Sequence, residues 1–140
     1  MQDHQAAEAV ILKSQRQRWD PQLTRLYASV ESDDPARQLA TAEDWRDQHG
    51  DEPELYLCLG RLAARNTLWG KAREYFENCY CLNPSTEVCA ELGRLLMALG
   101  EPKVASAYFR EGLMLREGAL PELPLPDKGI PDHRQLAGPS

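Results

Sequence analysis

The chain has few of the features that mark a membrane protein, a secreted protein or a nucleic-acid binder. No run of 18 or more apolar residues occurs in its 140 positions, so no stretch is long enough to cross a bilayer as a helix. The start is polar, and its only apolar cluster, Val10-Ile11-Leu12, is too short for the core of a signal peptide. Lysine and arginine number 16 against 22 acidic residues. The resulting net charge of −6 argues against general nucleic-acid binding, which needs a basic footprint, while leaving room for a local basic patch. No strand is evident, and no Gly-rich phosphate loop follows one.

Histidine is scarce and scattered (His4, His49, His133), forming no set with the four cysteines and no triad with a serine or cysteine. Cys58, Cys79, Cys81 and Cys89 all fall in predicted helices, where an i, i+2 pair such as Cys79 and Cys81 points to different faces. A zinc site would want C-x2-C spacing with further ligands nearby. Structural thiols in a reducing compartment are therefore expected, with no catalytic residue and no metal ligand set. The chain does not read as an enzyme.

What is present is a sentence written twice, 33 residues apart. Tyr56, Leu59, Gly60, Ala63, Ala72, Phe76, Cys79 and Pro84 recur as Cys89, Leu92, Gly93, Leu96, Ala105, Phe109 and Gly112, without the closing proline. Cys89, Leu92, Gly93 and Leu96 sit at i, i+3, i+4, i+7, one face of a helix, and Ala72, Phe76, Cys79 and Tyr80 share another at i, i+4, i+7, i+8. Glycine inside a helix costs roughly 1 kcal/mol against alanine, so Gly60 and Gly93 are expected to serve close packing of the second helix of each pair. A period of about 34 residues with Leu-Gly early and Ala-x3-Phe late is the pattern of a tetratricopeptide helix–turn–helix.

Proline punctuates the helix starts. Asp20-Pro21, Asp34-Pro35, Glu52-Pro53 and Glu101-Pro102 place proline at a first helical position, with Asp20, Asp34 and Ser85 as caps and Gly50 and Gly100 as stops. Seven helices follow: 3–18, 21–31, 35–49, 53–66, 69–82, 86–99 and 102–117. The first should turn Ala6, Ala9 and Val10 inward, the second Leu23, Leu26, Tyr27 and Val30, the third Leu39, Ala42 and Trp45. The expected fold is an all-α, right-handed superhelical stack over residues 1–118. It has clear repeats at 53–85 and 86–118, a degenerate repeat at 20–52 and a half repeat at 1–19. Residues 119–140 hold Pro121, Pro124, Pro126, Pro131 and Pro139 and are expected to be an extended or disordered tail. Its segment 119–131, with Leu120, Leu123, Leu125 and Ile130, is expected to dock in part on the exposed end of the last pair.

Further stretches are more specific. Leu68-Trp69-Gly70-Lys71-Ala72-Arg73, Trp19-Asp20-Pro21-Gln22-Leu23-Thr24-Arg25-Leu26-Tyr27, Asp34-Pro35-Ala36-Arg37-Gln38-Leu39 and Leu55-Tyr56-Leu57-Cys58-Leu59-Gly60-Arg61-Leu62 together resemble the C-terminal repeat region of the HemY family. These are proteobacterial inner-membrane proteins associated with haem biosynthesis. The resemblance covers about residues 5–117. It implies a soluble, cytoplasmic-side portion of a protein tethered by two membrane spans that this sequence lacks, beginning mid-array. It also implies a scaffold for other haem-pathway proteins, and it carries no catalytic residue.

The first helix of each pair lines the concave face of such a stack, the usual binding surface. Positions recurring there are Glu54 and Glu87, Leu57 and Ala90, Arg61 and Arg94, Ala64 and Met97, with Arg65 a turn beyond Arg61. The expected groove is Glu54, Leu57, Arg61, Arg65, Glu87, Arg94 and Met97. Its guanidiniums suit carboxylates, whether of a partner's peptide or of a porphyrin's propionates. The alternative is that the arginines pair with Glu54, Glu87 or Glu91 as charged helix faces commonly do. Haem or porphyrin carriage and a generic scaffold unrelated to haem stand as the other functional readings. Trp69 is expected to fold back over its own helix pair, Trp19 and Trp45 to be core, and Tyr75 and Tyr108 to pack between repeats. The missing half repeat predicts exposed apolar surface on helix one and the outer side of helix two, and self-association through the array ends.

Overall fold

The computed structural model describes residues 2–118 and 120–126, and among these it is all-α with no strand. Seven helices run in order: α1 (Gln2–Gln17), α2 (Gln22–Ser29), α3 (Pro35–His49), α4 (Pro53–Arg65), α5 (Trp69–Leu82), α6 (Thr86–Ala98) and α7 (Pro102–Glu117). Adjacent helices pack in pairs, α4 with α5 and α6 with α7 most closely, while α2 and α3 both lean on α4, and α5 leans on α6.

The starts follow from capping chemistry. Asp34 and Ser85 accept from the backbone N–H of Arg37 and Val88, satisfying donors that the first turn leaves orphaned. Pro35, Pro53 and Pro102 occupy the first helical position. Pro21 instead precedes α2, and the carboxylate of Asp20 accepts from Gln22 N–H at 2.9 Å. α2 ends at Ser29, two residues short of the expectation, because the Val30 backbone has turned extended. The carbonyls freed there are satisfied from elsewhere: the buried amide of Gln38 donates to Tyr27 O and Val30 O, and Arg65 donates to Val30 O at 2.8 Å.

The 33-residue offset holds at the level of single hydrogen bonds. At the end of α4, Thr67 N–H donates to Ala64 O and Leu68 N–H to Ala63 O; at the end of α6, Gly100 N–H donates to Met97 O and Glu101 N–H to Leu96 O. The pivot of each turn is left-handed, with φ of 80° at Gly100 and 58° at Thr67. A β-branched residue adopts that conformation only under strain, which the surrounding turn must offset.

Close approach inside the pairs also repeats. A Cβ added to Gly60 would overlap the Phe76 ring, and one added to Gly93 would overlap the Phe109 ring. Helix axes approach so nearly only where no side chain intervenes. The corresponding position of α2 is Tyr27, which is buried and packs its ring on Trp45 of α3 at 4.7 Å between centroids. Trp19 continues this cluster, edge-on to Trp45 and stacked on His49 at 3.9 Å. Leu39, Ala42 and Trp45 face inward as expected, and the core continues through Leu55, Leu59, Leu62, Phe76, Val88 and Leu92.

Tyr75 and Tyr108 do sit between neighbouring pairs. The Tyr75 hydroxyl donates to Glu43 of α3, and Tyr108 meets Tyr80 edge-on at 5.3 Å. Burial and the bond to Glu43 push the Tyr75 phenol up to about 12.

Three expectations are corrected. α1 buries Glu8, Ile11 and Gln15, while Ala6, Ala9 and Val10 face outward. The reason lies in Gln15, whose side-chain amide exchanges two hydrogen bonds with the Asp20 backbone, at 2.8 and 2.9 Å. A polar residue so satisfied can be buried and set the phase of the helix. Of the set expected to face inward from the second helix, Tyr27 and Val30 are buried and Leu23 packs on the core, but Leu26 is exposed and Thr24 and Ala28 are buried instead. The tail does not dock where it is described: Leu120, Leu123 and Leu125 are all exposed, with no regular structure over 120–126. Ile130 lies outside the described residues. Apolar surface is exposed on α1 at Ala6, Ala7, Ala9 and Val10, as expected, and on α2 at Leu26. No helix among the described residues is long and apolar enough to cross a membrane.

Candidate functional site

The principal concavity, about 660 Å³, opens across α2, α4 and α6. Each helix supplies side chains at the i, i+3, i+4 spacing of one face: Arg25, Ala28 and Ser29 from α2, then Arg61, Ala64 and Arg65 from α4. From α6 come Glu91, Arg94, Leu95 and Ala98. The start of α5 closes one end with Trp69, and Phe76 contributes to the floor. The floor is thus apolar and small-sided, the rim cationic.

Most of that cationic rim is already paired. Arg61 donates to Glu87 and Glu91, both at 2.6 Å, and Arg25 donates to Glu54 at 2.9 Å and to Glu87 at 2.6 Å. Arg94 donates to the second oxygen of Glu91. The result is one chain of alternating charges, Glu54–Arg25–Glu87–Arg61–Glu91–Arg94, joining three helices. Burial alone would raise the Glu87 carboxyl, but hydrogen bonds and charge from Arg61 and Arg25 win and hold it below the ordinary carboxylate value. Burial likewise opposes the Arg61 charge, and Glu91 and Glu87 more than reverse that. Pairing with neighbouring glutamates, the alternative raised from the sequence, is therefore what both arginines do, Arg61 through two donors and Arg94 through one.

Arg65 and Arg94 differ. Arg65 spends one donor on Val30 O, and Arg94 spends one on Glu91. A guanidinium carries five N–H donors, so both retain capacity toward the groove. Trp69, 47% exposed, and Leu95 and Ala98 line the same groove.

Of the residues expected here, the structure gathers Arg61, Arg65 and Arg94 on the groove. Glu54 and Glu87 serve as anchors of the charge chain. Leu57 is buried in the core, and Met97 is exposed away from the groove. Three residues on from Arg94 is a rotation of about 300°, which carries Met97 away from Leu95 and Ala98. Arg25 and Trp69 were missed as groove residues. Trp69, 47% exposed, lines the groove together with Ala64, Arg65 and Phe76 of its own helix pair; Arg25 was visible only as the first member of an i, i+3, i+4 set with Ala28 and Ser29.

The thiols offer no nucleophile at this site. Cys58 is fully buried and its pKa is pushed up to about 12 by that burial; Cys79 follows to about 11 for the same reason. All four cysteines are free, Cys81 alone being exposed. Among the described residues no three His, Cys, Asp or Glu side chains converge as a metal site would require. The groove thus combines apolar side chains, among them Ala28, Ala64, Leu95 and Ala98, with the guanidiniums of Arg25, Arg61, Arg65 and Arg94.

Comparison with protein-family models and with curated proteins returned no match for this chain.

Proposed function

We propose that the chain is a non-catalytic protein-interaction module of the tetratricopeptide kind, whose groove takes a carboxylate-bearing, apolar segment of a partner protein. The repeat reading is supported by the recurrence, 33 residues apart, of both the glycine–phenylalanine contact and the turn hydrogen bonds. The sequence resemblance makes the parent a HemY-like protein tethered to a bacterial inner membrane with this domain on the cytoplasmic side. The partners are then haem-biosynthesis proteins held together on this scaffold.

The observation that carries the binding site is the pair Arg65 and Arg94, with donors to spare in a groove they share with a half-exposed tryptophan. Aromatic and arginine side chains of this kind dominate binding energy at interfaces. Porphyrin carriage is the weaker reading, because no His, Cys, Met or Tyr lines the groove to ligate iron axially. The test is capture of the haem-pathway enzymes by the purified chain against the Arg65→Glu/Arg94→Glu variant. Loss of a specific partner in the variant is expected, with unchanged capture overturning the groove assignment. A saturable shift of the haem absorption band on titration would favour the porphyrin reading instead.

A further inference from the structure

The far end of the stack presents a seat that the rest of the chain fills everywhere else. Thirty-three residues before Phe109 and Leu113 stand Phe76 and Tyr80, on the face of α5 against which α6 packs. Phe76 is consequently 3% exposed, whereas Phe109 is 36% and Leu113 61% exposed. Between α6 and α7 a cavity of about 260 Å³, lined by Thr86, Cys89, Ala90, Phe109, Gly112 and Leu113, stands open. Its walls are almost wholly apolar, and a leucine side chain or two would fill it.

The chain also carries an unspent ligand of matching chemistry. Leu120, Leu123 and Leu125 are 53%, 70% and 84% exposed, and none of them lines the cavity. Each precedes a proline, which biases it to extended or polyproline backbone. At three residues per turn, Leu120 and Leu123 share one edge of such a segment, roughly 9 Å apart. Glu122 lies between them, and Arg116 follows Leu113 by one turn of α7, so acid and base flank the two apolar stripes in complementary fashion. The segment leaves α7 through Gly118, whose φ of 73° turns the backbone away from the helix, and it does not lie back on its own end face.

We propose that two copies of this chain associate through their α6–α7 ends, the Leu120–Leu125 arm of each lying on the Phe109–Leu113 face of the other. The chain supplies both the seat and the segment that fits it, and exchange between copies is a low-cost route to a closed two-fold dimer. Phe109, Leu113, Met114 and the three arm leucines expose on the order of 600 Å² of apolar side chain per copy, close to the roughly 800 Å² per partner that specific interfaces bury. That area, shared between the end face and the arm, is at the upper end of the roughly 300–600 Å² that the largest apolar patch of a soluble monomer exposes.

The experiment is light scattering on the full chain from micromolar to near-millimolar concentration. A thiol reductant is needed throughout, because Cys81 is exposed. A dimer is expected, weakened at least about tenfold by Leu113→Glu and equally by Leu120→Glu/Leu123→Glu. Both changes fall at exposed positions, and an unchanged helical circular dichroism spectrum checks the fold. Mixing the two variants should restore association in part, since one keeps the arm and the other keeps the seat. A wild-type chain that stays monomeric throughout, a dimer indifferent to Leu113→Glu, or one indifferent to loss of the arm leucines would each overturn the proposal.

Discussion

The two halves of the stack hold their helices together by opposite means. In α4–α5 and α6–α7 a glycine faces a phenylalanine, and the backbones come together with nothing between them. In α2–α3 the glycine position is Tyr27, and aromatic rings separate the helices: Tyr27 on Trp45, with Trp19 and His49 behind. The same register along the chain is thus compatible with close and with spaced pairing. What the spaced pair loses in helix–helix contact it regains by packing both helices on α4 and by tying the end of α2 down through Gln38 and Arg65. A helix pair without the glycine–phenylalanine contact can still take its place among these helices when a large ring fills the volume between them.

The largest test of that contrast is Tyr27→Ala. It removes a fully buried ring from the spacer itself and should lower unfolding stability by about 3–5 kcal/mol in a urea titration. A loss below about 1 kcal/mol would mean that α2 can collapse onto α3 as the other pairs do. Next in size, Gly60→Ala drives a methyl group into Phe76, a ring locked in the core, and should cost about 2 kcal/mol despite alanine's better helix propensity. Gly93→Ala meets Phe109, which is part-exposed and free to swing outward, so about 1 kcal/mol or less is expected. Equal losses would show the α6–α7 end to be as confined as the interior, which a covered end face would produce.

The smallest effect concerns the ion pairs that join the spaced half to the close one through Glu87. Its folded-state pKa is depressed, so the unfolded chain binds the extra proton more readily and acid favours unfolding. The stabilisation is fully present above the ordinary value of 4.5 and is lost as pH falls through the lower folded-state value. Glu87→Gln should be slightly less stable than wild type at neutral pH, by under about 1 kcal/mol given its part exposure. The gap should close on acidification. A constant gap down to strongly acid pH would show that Glu87 contributes by packing alone.

Much of this architecture was legible beforehand because it is written in residues with one physical use. Prolines at first turns, Gly60 and Gly93 opposite aromatic rings, and the acid and serine caps fix helix number and most boundaries to within two residues. The phase of α1 was not legible, because apolar periodicity cannot see that Gln15 will be satisfied by the Asp20 backbone and so can lie inside. Arg61 and Arg94 were found from their recurrence. Which of their donors are free was not, since that depends on where Glu87 and Glu91 arrive from the next helix. The groove position of Trp69 was missed for a similar reason: nothing in its own neighbourhood says that α6 will supply part of the same lining.

The alternating charge chain has a bearing on how any acidic molecule finds this surface. Arg25, Arg61, Arg65 and Arg94 face Glu54, Glu87 and Glu91, so four cations leave one positive charge over, on a protein that is acidic as a whole. Little long-range pull survives that cancellation. An acidic molecule would meet the slot by ordinary collision, and any capture there would be decided in the last few ångströms, by shape and by whichever guanidinium hydrogens still point outward.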